Sequence, residues 1–286
     1  MKYLLLIIIF QCFVSAEFYG VDDRLEAFEK MPPVIEHNIK ASVALIPKER
    51  LIITEGKVSI VTPSLIKALN MCESSRFSSQ PLLANCSGGL IGKQTVLTAA
   101  HCLPDKSSSS CEQYYYVFDY EIDEESGVVK PINVNNIYEC EEIIHHNFDE
   151  TFTLSGLDLA LVKLSKPVFD RKPYHVNPRR VISGEEVFMI GYPLGIPKKV
   201  SHNATVKGDS YLKNSFSSDL DTYSVNSGSP IFDRNNGDLI GVLVRGTGAN
   251  VTSLGQCNDW SQGTQEGFAD GNDLLSIKKL LKGMND

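Results

Sequence analysis

This chain of 286 residues lacks three features, and each absence excludes a class of function. No two cysteines, and no cysteine and histidine, stand three positions apart, so the spacing typical of a structural zinc site is missing. Basic residues are outnumbered by acidic ones, and a formal net charge of −8 would repel nucleic acid and anionic membranes. No apolar run reaches the roughly 20 residues of a membrane-spanning helix. We therefore expect no metal, no organic cofactor, no nucleic-acid partner and no membrane association of the exported chain.

The first sixteen residues have the order of a secretory signal. Lys2 precedes an apolar run from Leu4 to Phe10 that continues to Val14, and the small residues Val-Ser-Ala end at Ala16. A buried N-terminal helix or strand is the alternative interpretation. We favour a signal peptide over residues 1–16, and we expect a secreted or periplasmic monomer.

Between Ile39 and Gly267 the chain consists mostly of short runs of β-branched and aromatic residues separated by Gly, Pro, Asn, Asp and Ser. This pattern predicts an all-β fold of antiparallel strands and argues against alternating strands and helices. The proline-rich stretch 166–180 is interpreted as the connection between two halves.

Two stretches lie outside this pattern. Residues 17–38 are acidic and weakly helical, with Met-Pro-Pro at 31–33 as a break, and suit a propeptide or an N-terminal arm. Residues 272–286 begin with a capping residue and carry apolar residues at helical spacing, which predicts a C-terminal α-helix.

Cysteines are few but even in number once the signal segment, with Cys12, is removed. An even set in an exported chain predicts disulfides, although the sequence alone leaves the connectivity open. The six are Cys72, Cys86, Cys102, Cys111, Cys140 and Cys257.

Three segments together could supply nucleophilic catalysis. A serine hydroxyl becomes a good nucleophile only when a neutral imidazole accepts its proton and a carboxylate orients that imidazole. "LTAAHC" ends a strand-like run with His101, "DLALVKL" begins an apolar strand with Asp158, and "NSGSP" places Ser227 in a glycine-containing loop. Taken singly, each has an ordinary structural interpretation: a hydrogen-bonded histidine, a strand-start aspartate, a turn serine.

With these segments in the order His, Asp, Ser, the chain resembles the chymotrypsin-type serine endopeptidases over about residues 39–270. "NSGSP" and "MIGYP" (189–193) are most similar to the bacterial glutamyl-endopeptidase (V8-like) branch. The resemblance implies two antiparallel six-stranded β-barrels with the active site in the cleft between them. The first barrel would span 39–165 and the second 166–271.

The resemblance also implies a function. His101, Asp158 and Ser227 would form a catalytic triad that hydrolyses peptide bonds of polypeptide substrates through an acyl-enzyme. The backbone N–H groups of Val225 and Ser227 would form the oxyanion hole. Asn226 stands where pancreatic-type members have an aspartate, so activation by an ion pair from a freed N-terminus is not expected.

Val225 departs from the family, which has glycine at this position. A β-branched residue resists the positive φ that the oxyanion hole requires, so we predict a slow enzyme that Val225→Gly would accelerate at least about tenfold. The alternative function is a catalytically impaired, protease-like binding protein. A purely structural β protein would have no use for the three triad residues.

The residues that would choose the substrate give a mixed signal. Asp221, six positions before the serine, would favour Arg or Lys before the cut. Thr222 matches the glutamyl-type pocket, but Leu243 replaces the histidine that such a pocket uses. Arg245, on the same strand, would cancel the preference for cations if it paired with Asp221.

The resemblance extends to one disulfide. Cys86–Cys102 fits the bridge that braces the histidine loop in this family. For the remaining four cysteines we predict Cys111–Cys140 and Cys72–Cys257.

Overall fold

The computed structural model describes most of the chain, and the segment 1–16 interpreted as a signal lies outside the described residues. The described ranges are 18–149, 156–209, 214–246, 249–263 and 268–282.

Strands dominate the fold. In chain order they are β1 (Leu25–Glu26), β2 (Ser42–Pro47), β3 (Leu51–Thr54), β4 (Lys57–Ile60), β5 (Cys86–Leu90), β6 (Thr95–Thr98), β7 (Tyr114–Phe118), β8 (Ile137–Tyr138), β9 (Cys140–Phe148), β10 (Asp158–Leu164), β11 (Glu186–Gly191), β12 (Lys199–Asp209), β13 (Ser215–Ser218), β14 (Pro230–Asp233), β15 (Leu239–Gly246), β16 (Val251–Ser253), β17 (Asn258–Trp260) and β18 (Ala269–Asp273).

The helices are short. The α-helices are α1 (Pro33–Glu36), α2 (Leu65–Leu69), α3 (Ser108–Cys111) and α4 (Lys278–Lys282). Single 3₁₀ turns span Ile39–Ala41, Lys48–Arg50, Ala100–Cys102, Val134–Asn136, Pro193–Gly195 and Leu275–Ile277. Within the described ranges, no helix is both long enough and apolar enough to cross a membrane.

Two antiparallel sheets form the two halves. The second is a closed barrel of six strands in the order β12-β11-β14-β15-β18-β13, with β13 pairing back to β12. The first is a curved sheet of seven strands in the order β8-β7-β2-β5-β6-β10-β9, and its edge strands β8 and β9 do not pair within the described part of the chain. The all-β, two-barrel fold expected from the sequence is confirmed, with the second half a closed six-stranded barrel and the first half, within the described residues, a seven-stranded half-barrel. The stretch 166–180, with no helix or strand, connects the halves.

The N-terminal arm, residues 18–38, packs against the second barrel. Its strand β1 pairs with the start of β12, which adds a seventh strand to the outside of that barrel. Pro33 does not break a helix, as the sequence suggested, but begins α1, because the first turn of a helix needs no proline N–H. Arg24, Met31 and Ile35 of this arm are buried. The arm is therefore part of the folded body.

The C-terminal tail differs from the expected helix. Residues 272 and 273 still belong to strand β18, and helical structure begins only at Leu275. The physical reason is burial, since the Asn272 side chain bonds to Ser215 and the Asp273 N–H to the Asn214 carbonyl, and neither bond could be kept on an exposed helix. Asp273 Oδ1 accepts the Leu275 N–H where the helical tail begins. The apolar side of the short helical tail packs through Ile277 and Leu281 on the main core.

Three disulfides hold the described chain together. They join Cys86 to Cys102, Cys111 to Cys140 and Cys72 to Cys257, the same pairs that were named from the sequence. The first closes the loop that carries His101. The last joins residues 185 positions apart and fixes the segment before β5 to the second half.

Candidate active site

His101 and Asp158 meet where β6 and β10 pair. The register Thr98 to Ala160 brings the end of β6, and the 3₁₀ turn after it, beside the start of β10. Asp158 is buried, and its Oδ1 accepts the backbone N–H of His101 at 2.8 Å while its Oδ2 lies 2.5 Å from His101 Nδ1. This pair fixes the ring so that Nε2 is left for proton transfer.

Asn272 holds Asp158 from the other barrel. The Asp158 N–H donates to Asn272 Oδ1 at 2.7 Å, and Asn272 Nδ2 donates to the Gly156 carbonyl and to Ser215 Oγ. The Asn272 amide is fully buried with partners for both of its ends. It therefore fixes the carboxylate-bearing strand of one half against the second barrel.

Ser227 lies in a loop that Ser87 of β5 holds at two points. The Ser87 N–H donates to the Ser227 carbonyl at 2.8 Å, and Ser87 Oγ donates to the Val225 carbonyl at 3.1 Å. Gly228 follows with φ 86°, and a Cβ there would collide with the Ser87 carbonyl oxygen and Thr98 Oγ1. The glycine thus allows this loop, residues 224–229, to approach the strands that lead to His101. We call it the nucleophile loop, after the role that the sequence predicts for Ser227.

Two atoms that the predicted triad would use have no hydrogen-bond partner in the described part of the chain. Neither Ser227 Oγ nor His101 Nε2 hydrogen-bonds to any described residue, and the two do not hydrogen-bond to each other in this state. Ser227 is 7% exposed and the His101 side chain 26% exposed, so each keeps some contact with solvent. Catalytic hydrogen bonds of this kind often form only when substrate is bound.

Val225 adopts the left-handed conformation that the sequence made doubtful, with φ 76°. The Ser224 carbonyl accepts the Leu194 N–H at 2.7 Å, and because the C=O and N–H of a trans peptide point in opposite directions, the Val225 N–H points away from Leu194. No described residue accepts a hydrogen bond from the amides of Val225 or Ser227. Both N–H groups are available for an oxyanion.

Asp221 is not at the base of an open pocket. It is 4% exposed, and its Oδ1 accepts the backbone N–H of Tyr19, from the N-terminal arm, at 2.8 Å. Burial raises the pKa of its carboxyl group to about 7. The space that it shares with Arg24 and Asn226 leaves no room for a water molecule.

Arg24 anchors the arm beside Asp221. Its guanidinium pairs with Asp22 at 2.7 Å and lies 4.0 Å from the ring centre of Trp260 and 4.5 Å from that of Tyr223. An arginine that is 1% exposed is stable only with such partners. The arm is therefore held firmly against this side of the nucleophile loop.

The other pocket candidates are buried or paired elsewhere. Arg245 pairs with the fully buried Asp270 across β15 and β18, so the structure does not support the suggestion that it neutralises Asp221. Leu243 is buried in the apolar core of the second barrel. Thr222 is buried as well, and its hydroxyl has no partner among the described residues.

One group of metal-ligating residue types lies close together. Side-chain ligand atoms of Cys86, His101 and Cys102 lie within 4.8 Å of one another. Both sulfurs belong to the Cys86–Cys102 disulfide, so they offer no thiolate to a metal ion.

A comparison with protein families decides the class. The trypsin-like peptidase domain matches residues 86–242, which is more than half of the chain. The chain belongs to this family. It is a serine-type endopeptidase, a hydrolase whose substrates are polypeptides. No curated protein matches the peptidase by sequence.

Solved structures agree on the fold of this peptidase. Neuropsin, a serine protease expressed in the limbic system of mouse brain, is 15% identical over 87% of this chain and 96% of its own, with a TM-score of 0.56. A Glu endopeptidase solved in complex with MPD is 15% identical over 93% of this chain and 97% of its own, with a TM-score of 0.53. At such identity the likeness shows the fold alone.

The sequence did not reveal the residues that hold the site together. Ser87 and Asn272 each connect the two halves through hydrogen bonds between positions more than a hundred residues apart. A polar residue inside an otherwise apolar strand is the signal that could have found Ser87. Asn272 carried no such signal, because it lay in a stretch that fitted a helix cap.

Proposed function

We propose that this peptidase is an exported enzyme that cleaves polypeptides with His101, Asp158 and Ser227 as its catalytic triad. The observation that carries the proposal is the buried Asp158 bonded to His101, with the Sγ of the adjoining Cys102 3.7 Å from the Ser227 carbonyl oxygen. Export is supported by the signal-like residues 1–16 and by three disulfides, which form in oxidising compartments.

The chemistry follows from this arrangement. Ser227 Oγ attacks the scissile carbonyl carbon while His101 Nε2 accepts the hydroxyl proton, and Asp158 stabilises the imidazolium. His101 then gives that proton to the leaving amine as the C–N bond breaks, which leaves an acyl group on Ser227. Water, deprotonated by His101, attacks the acyl carbon, and the departing Ser227 oxygen regains a proton.

The proposed oxyanion hole consists of the Val225 and Ser227 amides. Two N–H groups that are already oriented stabilise the developing negative charge without reorganisation, and one such donor is worth roughly 10²–10³ in turnover. Their orientation is supported by the carbonyl group of each peptide: that of Ser224 accepts the Leu194 N–H, and that of Asn226 accepts the Ser229 N–H, so each amide points the other way.

Preference for Arg or Lys before the cut remains part of the proposal. It is supported by the place of Asp221 six residues before the nucleophile and by the pairing of Arg245 with Asp270 instead. Because the Asp221 carboxylate is covered by Tyr19, a substrate cation can reach it only after that part of the arm moves away. Glutamate preference, typical of the V8-like branch, is not proposed, since Leu243 cannot bond to a carboxylate.

Labelling with a fluorophosphonate probe tests the activated serine. The wild-type chain should be labelled and should hydrolyse peptides, and Ser227→Ala should lose both while its circular dichroism spectrum is unchanged. Ser229→Ala is the matched control, because that serine is two residues away and fully buried. A wild-type chain that binds peptides without being labelled would instead be a protease-like binding protein.

A further inference from the structure

A cavity with a mostly apolar lining adjoins the nucleophile loop at Val225, and Asp221 does not line it. Its volume is about 470 Å³, and it opens to solvent. We call it the Val225 cavity, because Val225 contributes to its wall. Seven of its eleven lining residues are apolar: Val61, Pro63, Leu69, Leu82, Ala84, Leu194 and Val225. The other four are Glu49, Arg50, Thr62 and Asn85.

Most of this wall comes from a segment outside the family match. The lining residues between positions 49 and 85 precede residue 86, where the trypsin-like domain begins to match. Arg50 supports the wall by donating to the carbonyls of Leu83 and Ala84, and the Cys72–Cys257 disulfide fixes the segment to the second half. The cavity is thus a built feature of this chain, and the family match does not assign it.

We propose that the Val225 cavity binds an apolar side chain of the polypeptide substrate on the leaving-group side of the scissile bond. This inference rests on the proposed function and adds a second determinant of substrate choice. The chemical class is aliphatic or aromatic, such as Leu, Ile, Met or Phe, because most of the lining residues are apolar and the cavity volume exceeds that of one such side chain.

The position of Val225 supports the assignment to this substrate. Its N–H belongs to the proposed oxyanion hole and its side chain to the cavity wall, so a peptide whose carbonyl meets that N–H must pass the cavity within one or two residues. The cavity is therefore continuous with the active site.

The direction follows from which residues are missing from the lining. The cavity is not lined by His101 or by any of the residues predicted to choose the substrate, which are Asp221, Thr222, Leu243 and Arg245. The part of the substrate that becomes the acyl group would lie along those residues. The cavity is left for the part that departs as the amine.

The same arrangement explains why valine occupies this position. Its side chain packs against a core cluster of the first half that includes Leu83 and Ala84, and apolar contact there offsets the strain of a positive φ. A glycine would fit the backbone better but would leave the cavity wall incomplete.

Acyl transfer to added amines measures the substrate preference on the leaving-group side alone. A peptide ester first forms the acyl-enzyme. Water and added dipeptide amides then compete for the acyl group, and the amides differ only in their first or second residue. Amides with Leu or Phe should capture the acyl group at least about tenfold better than those with Gly or Ser. Fluorophosphonate labelling in the same preparation reports the activated serine independently.

A matched pair of variants locates the effect. Val61 is 52% exposed at the cavity, and Val128 is 62% exposed elsewhere, so aspartate should be tolerated at both positions. Val61→Asp should remove the apolar preference and favour Lys or Arg in the amine, whereas Val128→Asp should leave the profile unchanged.

Each outcome decides a different statement. Normal labelling with a flat amine profile, or equal effects of the two aspartate variants, would overturn the cavity assignment and leave the proposed function standing. Absence of labelling would overturn the proposed function, and the cavity assignment with it. An apolar preference that Val61→Asp alone removes establishes the inference.

Discussion

The two sides of Ser227 differ in what fills them. On the side of Asp221, the N-terminal arm lies against the nucleophile loop, Tyr19 bonds to the carboxylate, and no room for a water molecule remains. On the side of Val225, a cavity of about 470 Å³ is open to solvent. The side on which the family is expected to choose its substrate is closed, and the side that the family match does not describe is open.

This difference shows how one fold can choose its substrates on either side of the serine. The reacting groups are held by contacts between the halves, through Ser87 and Asn272, and these do not depend on either side. Segments added before the matched domain can therefore fill one side and build a wall on the other without displacing His101 or Ser227. Changes at the centre should affect all substrates alike, and changes on one side only some of them.

The largest effect is expected at the centre. Asp158→Asn keeps the shape of the side chain but stabilises the wrong tautomer of His101, so kcat should fall about 10⁴-fold for every peptide tested. Preferences on both sides of the cut should be unchanged. A selective loss for one class of substrate would mean that Asp158 also shapes a binding site.

Release of the arm should open the closed side. Arg24→Ala removes a buried partner of Asp22 and of the aromatic rings around it, which should cost about 3–5 kcal/mol of stability. Hydrogen exchange should show loss of protection over residues 18–26, and hydrolysis after Arg or Lys should increase. Arg180→Ala, at an exposed arginine, is the control. Unchanged protection would show that the arm is held by other contacts.

The pH dependence of stability should report the burial of Asp221. Its carboxyl group keeps its proton up to about pH 7 in the folded state, while the unfolded chain releases it near the ordinary value of 3.8. The folded state thus binds more protons between these values, so this contribution to stability is present below about pH 4 and is lost as the pH rises through 7. Asp221→Asn should remove that loss and be more stable at pH 8 by on the order of 2–4 kcal/mol. Urea unfolding across the pH range measures it, and parallel curves for the two proteins would contradict it.

The smallest effect is expected at Val225. Since its peptide already has the orientation that an oxyanion hole requires, Val225→Gly should change turnover on short peptides by less than about tenfold, not the larger gain expected from the sequence. The cavity wall would be lost, so the variant should discriminate less between apolar and small residues after the cut. An increase of tenfold or more would show that the valine does restrict the oxyanion hole.

The sequence predicted what depends on local pattern. Strand-like runs gave the all-β class, and His101, Asp158 and Ser227 stood in short motifs whose chemistry is recognisable without the fold. The covering of Asp221 by Tyr19 joins positions 202 residues apart, and no local pattern reports it. Asn272 was assigned to a helix for the same reason, because a buried asparagine in a strand differs from a helix cap only in its distant partners.

The Cys72–Cys257 disulfide also sets an order of events during synthesis. Cys72 is the first of the six bonded cysteines to emerge from the ribosome, and its partner 185 residues later is the last. Cys86 and Cys102, only 16 residues apart, can be oxidised while most of the second barrel has yet to be made. The Cys72–Cys257 bridge, which fixes the segment that forms the wall of the Val225 cavity, can consequently form only when the chain is nearly complete.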